Sequence, residues 1–152
     1  MPKTWAEKMN APEPHIEVTT KAFAGIAPGT RMLISSPLEL AAWLTQNVPY
    51  GHSIAVSELR AGLAKARGAE ATCPLTTSIF LRMAAEAAWD ELAAGARLSD
   101  VTPFWRAVDP TSELARKLRC GPEWIAHQRG MEAAQRAQVW ASGSADDTRL
   151  NA

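Results

Sequence analysis

Four points of punctuation, Ser36-Pro37, Gly68, Gly95 and Gly121-Pro122, cut this chain into helix-length segments and leave room for little else than a mainly helical fold. At the first, a serine hydroxyl can accept a free N–H of the opening turn, Pro37 suits the first helical position, and Glu39 suits the positive helix end. Leu40, Trp43 and Leu44 follow at a spacing of three and four, which gives one buried stripe. A second helix is predicted from Ser57 to about Ala66, with Leu59 and Leu63 inward and Arg60, Lys65 and Arg67 outward, stopped by Gly68. A third runs from about Thr76 to Ala94 and ends at Gly95. The last opens at Gly121-Pro122-Glu123 and reaches about Trp140.

The β content is small. Arg31-Met32-Leu33-Ile34-Ser35 is short, apolar and bounded by a Ser-Pro break, which is the pattern of a single strand, and Thr102 to Val108 reads as the edge of a small wing. Residues 1–30, with Pro2, Pro12, Pro14 and Pro28, read as an extended arm laid over the domain. Residues 31–140 form one domain, and 141–152 read as a disordered tail on the strength of Ser142-Gly143-Ser144 and the acids at 146 and 147.

Charge narrows the function classes. Sixteen basic and sixteen acidic side chains cancel, and residues 31–100 hold six basic against seven acidic groups. No global field draws such a chain to nucleic acid, so any DNA contact rests on a few placed arginines. Two cysteines make no disulfide framework, no apolar run is long enough to span a bilayer, and no signal-peptide pattern follows Met1, so a cytoplasmic location is the expectation. Two Cys and three His show no ligand spacing, so no metal and no cofactor is expected.

Two segments carry a motif. Thr102-Pro103-Phe104-Trp105-Arg106-Ala107-Val108 lies some fifty residues after Pro49-Tyr50-Gly51-His52-Ser53-Ile54-Ala55-Val56-Ser57-Glu58-Leu59-Arg60. Together they resemble the alkylguanine-DNA alkyltransferase family, whose reactive segment reads Pro-Cys-His-Arg-Val and whose helix-turn-helix opens on Ser/Thr-Tyr-Gly-Glu-Leu-Ala. Thr72-Cys73-Pro74-Leu75-Thr76-Thr77 and Thr102-Pro103-Phe104-Trp105-Arg106 are similar to motifs of an alkyltransferase-like subgroup of small bacterial proteins that lack the acceptor cysteine. The resemblance spans about residues 31 to 135 and implies a winged helix-turn-helix-like domain of the alkyltransferase DNA-binding type.

On that resemblance Phe104 replaces the alkyl-accepting thiol and Trp105 the histidine that deprotonates it. A nucleophilic thiol needs a base or a lowered pKa, and a benzyl group supplies neither, so alkyl transfer is not expected. The family's phosphate-pressing tyrosine falls on Val56, and its hinge asparagine has no counterpart between Trp89 and Val101. Glu132 sits where the family has the glutamate that orients its histidine; with Trp105 there, it has nothing to orient and reads as an exposed helical acid.

The implied site follows residue by residue. Arg82 takes the place of the arginine finger that fills the hole left by a flipped base, and Thr77, Ser78, Arg60 and Arg106 are assigned to DNA contact beside it. Phe104, Trp105 and Tyr50 are assigned to a base pocket, against the reading that both reactive-segment aromatics have filled that pocket and become core. Ser78, Arg82, Glu86 and Asp90 also recur at four-residue spacing, as in an ordinary solvated stripe whose acids would repel phosphates.

Three functions remain open. The first is a non-catalytic module binding double-stranded DNA, alkylated guanine lesions included, with a downstream repair protein as a further partner and no membrane. The second is a helix-turn-helix kept for protein interaction with little DNA affinity. The third is an enzyme using Cys73, which precedes a helix start but has no histidine near it in sequence; a buried, inert thiol is the competing account.

Overall fold

A computed structural model describes residues 2–150, with side chains through Ala141. The chain is mainly helical, with a small three-stranded sheet. In order come α1 (Trp5–Lys8), β1 (His15–Val18), β2 (Arg31–Ile34), α2 (Pro37–Asn47), α3 (Val56–Arg67), β3 (Ala71–Thr72), α4 (Pro74–Ala93), α5 (Glu113–Lys117) and α6 (Gly121–Leu150), with short 3₁₀ turns at Leu98–Asp100 and Phe104–Arg106.

The punctuation acts as its chemistry requires. Ser36 Oγ accepts the Glu39 N–H at 3.1 Å, with Pro37 at the first helical position. Gly68 ends α3 at φ 67°, a left-handed conformation that side chains disfavour, and its N–H donates to Lys65 O. Leu40 and Leu44 of α2, Leu59 and Leu63 of α3, Leu81 and Ala88 of α4, and Ile125 of α6 share one core. Trp43 of α2 crosses α3 where Gly62 leaves space for it; a Cβ there would lie 2.0 Å from Trp43 Cζ2.

The sheet is built differently from expectation. Its order is β1-β2-β3, with β1 antiparallel and β3 parallel to β2. The arm expected to lie extended over the domain contributes a strand to the sheet, with His15 opposite Ile34 and Val18 opposite Arg31. It also contributes α1, which packs on α4. β3 lies inside the connection between α3 and α4.

Thr102–Val108 forms no wing strand. Phe104 N–H donates to Thr102 O, and the N–H groups of Ala107 and Val108 return to Phe104 O, so the segment coils into a tight turn. Pro103 has no N–H for a ladder, and both large aromatics are buried at once, which an alternating edge strand does not allow. α6 continues past Trp140 to Leu150 and so takes in most of the segment expected as a disordered tail; residues 151 and 152 lie outside the described residues. Helix, once nucleated, gains a hydrogen bond for each residue it adds, and only Gly143 in that stretch is a strong breaker. Among the described residues no helix is long and apolar enough to cross a membrane.

Candidate functional site

The turn that carries the motif is sealed. Phe104 and Trp105 are each 0% exposed. Their rings meet edge to face with centroids 5.3 Å apart, and Trp124 of α6 stacks on Phe104 at 5.7 Å with planes 16° apart. Trp105 meets Trp124 edge to face at 5.6 Å. Edge-to-face and offset-stacked geometry suits the ring quadrupoles, so the cluster gains more than its buried area alone. Phe104 and Trp105, two of the three residues assigned to a base pocket, are therefore core, sealed against each other and against Trp124.

Tyr50 is not with them. It is 48% exposed, and its hydroxyl donates to Gln135 Oε1 of α6. The Arg106 guanidinium lies between the two places, 5.6 Å from the Tyr50 ring centroid and 5.5 Å from that of Trp105.

Glu132, expected to be an exposed helical acid, is instead the centre of the site. It is 2% exposed rather than a solvated acid. Its Oε2 accepts the Trp105 indole N–H at 2.6 Å, and its Oε1 accepts Arg106 Nε at 2.8 Å. The Gly51 N–H reaches Oε1 at 3.3 Å, and Gln128 Nε2 reaches Oε2 at 3.4 Å. Burial by itself would raise the carboxyl pKa, but the hydrogen bonds from Arg106, Trp105 and Gly51, together with the Arg106 charge, outweigh it and hold the pKa below the usual glutamate value. Glu132, expected to have nothing to orient, thus orients an indole. A signal was present: Ile125, Gln128 and Glu132 fall at a spacing of three and four and face inward together.

Arg106 is consumed by this arrangement. Beyond Glu132 its Nη1 donates to Val48 O at 3.0 Å, and its side chain is 13% exposed. It joins the α2–α3 turn to α6 and the motif turn, which the Ile54 N–H also holds through Arg106 O at 2.8 Å. A guanidinium so engaged is not available to a phosphate, which corrects its assignment to DNA contact.

On α4 the assigned residues separate. Thr77 is 0% exposed and its Oγ1 donates to Cys73 O at 2.7 Å, so it stabilises the helix start and makes no outward contact. Ser78 and Arg82 are exposed. Arg82 lies eight residues after Pro74, about 12 Å along the helix, and its guanidinium carbon is 5.6 Å from the Trp5 ring of α1. The four-residue stripe does not continue in solvent: Glu86 is 2% exposed, and Arg119 clamps it with Nε to Oε2 at 2.8 Å and Nη2 to its backbone O at 3.2 Å. The same guanidinium pairs with Asp90 at 2.8 Å.

Arg60 is half-buried on α3. Its backbone carbonyl accepts Thr72 Oγ1 at 2.8 Å, and its Nε is buried with no hydrogen-bond partner among the described residues. It borders a cleft of about 450 Å³ with Ser57, Lys65 and Glu70. Cys73 is 3% exposed at the start of α4, out of reach of a substrate in solution. Cys120 is half-buried, and burial first, then the nearby Glu86 charge, push its thiol up to about 11, away from thiolate chemistry. Among the described residues no group of three or more His, Cys, Asp or Glu is placed to hold a metal ion.

What remains in solvent along the first half of α4 is Leu75, Ser78, Ile79 and Arg82, one face at a spacing of three and four. Among the described residues Arg82 has no acidic partner within ion-pair distance. No family model, no curated protein and no solved structure matches this chain.

Proposed function

We propose that the chain is a non-catalytic alkyltransferase-like module that binds duplex DNA through a helix-turn-helix made of α3 and α4, without alkyl transfer and without taking a base into a pocket. The observation that carries the reading is the fate of Glu86. Left in solvent one turn beyond Arg82, it would repel a phosphate backbone; turned inward and neutralised by Arg119, it leaves Ser78 and Arg82 exposed, with no acid in ion-pair contact with Arg82 among the described residues. Arg82 acts there on a phosphate, or in a groove, as a point of positive charge. The winged form of the motif is replaced in this reading by a sheet on the arm side of α3, built from β1, β2 and β3.

The sealed aromatic cluster supports the second half of the proposal. With Phe104 and Trp105 at 0% exposure, an extruded base has no place to stack on the motif turn and no thiol to meet there. A duplex carrying an alkylguanine is then bound no better than an undamaged one. A titration of a labelled duplex with and without the lesion tests this, and equal affinity is the expected result.

A second reading is favoured by Leu75 at 58% and Ile79 at 44% exposure, which flank Ser78 on the same face. That mixed surface and the net charge of zero suit a protein partner. The two readings part on salt: a DNA complex weakens steeply as salt rises, and an apolar protein interface does not.

A further inference from the structure

The cleft between the C-terminal half of α4, the Leu98–Asp100 turn and the start of α6 has no part in the DNA reading. It holds about 360 Å³ and is lined by Trp89, Leu92, Ala93, Leu98, Trp124 and Gln128. That volume is at the small end of ligand sites, enough for one or two fused rings. Two of its walls are indoles that meet edge to face, with centroids 5.2 Å apart and planes at 80°. Trp124 is braced from behind by the buried Phe104 ring, so the aromatic walls are held in place rather than free to collapse.

Apart from the indole N–H donors of its two tryptophans, the cleft has one polar side chain, Gln128, and the orientation of its amide is determined. Gln128 is 6% exposed, and its Nε2 donates to Glu132 Oε2. Glu132, paired with Arg106, only accepts, so the amide nitrogen of Gln128 must face it and the amide oxygen must point away. That oxygen accepts from no described residue, and it is not among the atoms sealed from solvent without a partner. It is a fixed, unused acceptor beside two aromatic walls. No charged side chain lines the cleft, so an ion would lose its hydration there without recompense.

We propose that this cleft binds a free, uncharged, planar heteroaromatic molecule carrying an N–H donor, packed against Trp89 and Trp124 with its N–H donating to Gln128 Oε1. The assignment is independent of whether the chain binds DNA.

Indole and benzofuran, which differ by an N–H exchanged for an oxygen, are the probes, titrated into the full chain by NMR. Indole binds, and benzofuran binds about three- to tenfold more weakly, the worth of one neutral hydrogen bond. Gln128→Leu removes that difference. Ala93→Phe, at an exposed position on α4, fills the cleft and abolishes indole binding with an unchanged circular dichroism spectrum. If Gln128→Leu fails to fold, the comparison of probes on the unaltered chain and Ala93→Phe still decide. Equal affinity for the two probes, no binding of indole at millimolar concentration, or full binding by Ala93→Phe overturns the assignment. Displacement of indole by an adenine oligonucleotide but not by free adenine overturns the choice of a free ligand.

Discussion

The Trp105 indole N–H donates to Glu132 Oε2 across 2.6 Å, and neither residue has more than 2% of its surface in solvent. Through the same carboxylate Glu132 pairs with Arg106, so one acid on α6 holds the motif turn, the Gly51 turn and the end of α2 together. Glu132→Gln keeps an acceptor for the indole but leaves the Arg106 charge buried without its counterion. A loss of about 3 kcal/mol in unfolding free energy is expected, measured by urea titration, because an uncompensated buried charge is far more costly than a missing contact.

The same pair sets an acid limb. The folded-state pKa of Glu132 lies below its ordinary value of 4.5, so the folded protein releases this proton more readily than the unfolded chain. The pair's contribution is therefore complete above about pH 4.5 and is lost as pH falls from there through the folded-state value. Stability measured from pH 6 downward declines across that window in the native protein, and the Glu132→Gln variant, already weaker, shows a shallower decline.

A thiol introduced at position 104 is not expected to accept an alkyl group. Phe104→Cys places a sulfur inside the aromatic cluster, away from solvent and with an indole where a base would be needed. Incubated with an alkylguanine oligonucleotide, its intact mass stays unchanged. The lost ring volume lowers stability by about 3 kcal/mol, in line with other large-to-small core changes.

Gly62→Ala separates packing from propensity. Alanine at a helical position gains about 1 kcal/mol over glycine, yet the new Cβ would lie 2.0 Å from a Trp43 ring carbon. Overpacking a rigid indole costs more than that gain, so a fall in Tm is expected, and Trp43→Leu makes the substitution tolerated.

The legible part of this fold is the part written in local chemistry. Ser36 with Pro37, the Leu59 and Leu63 stripe, and the glycine stop at Gly68 each act within a few residues, and each element formed where they placed it. Elements made by distant partners were not legible. β1 exists because β2 pairs with it, and β3 because it lies beside β2, and neither run is strongly patterned alone. The site was misread for a related reason. Glu86 and Glu132 look like solvated helical acids until Arg119 and Arg106, each more than twenty residues away in sequence, are brought against them. Phe104 and Trp105 could be read as pocket or as core from sequence, and the choice turned on Trp124, which nothing local connects to them.

The central claim is that α4 presents Arg82 to duplex DNA, and a salt titration with an undamaged duplex of about 20 base pairs addresses it most directly. At about 50 mM salt the chain binds, the logarithm of the association constant falls with the logarithm of salt at a slope of about −2, and Arg82→Ala weakens binding and lowers that slope by about one, without loss of stability. No binding at low salt, or an affinity indifferent to both salt and Arg82, contradicts the account.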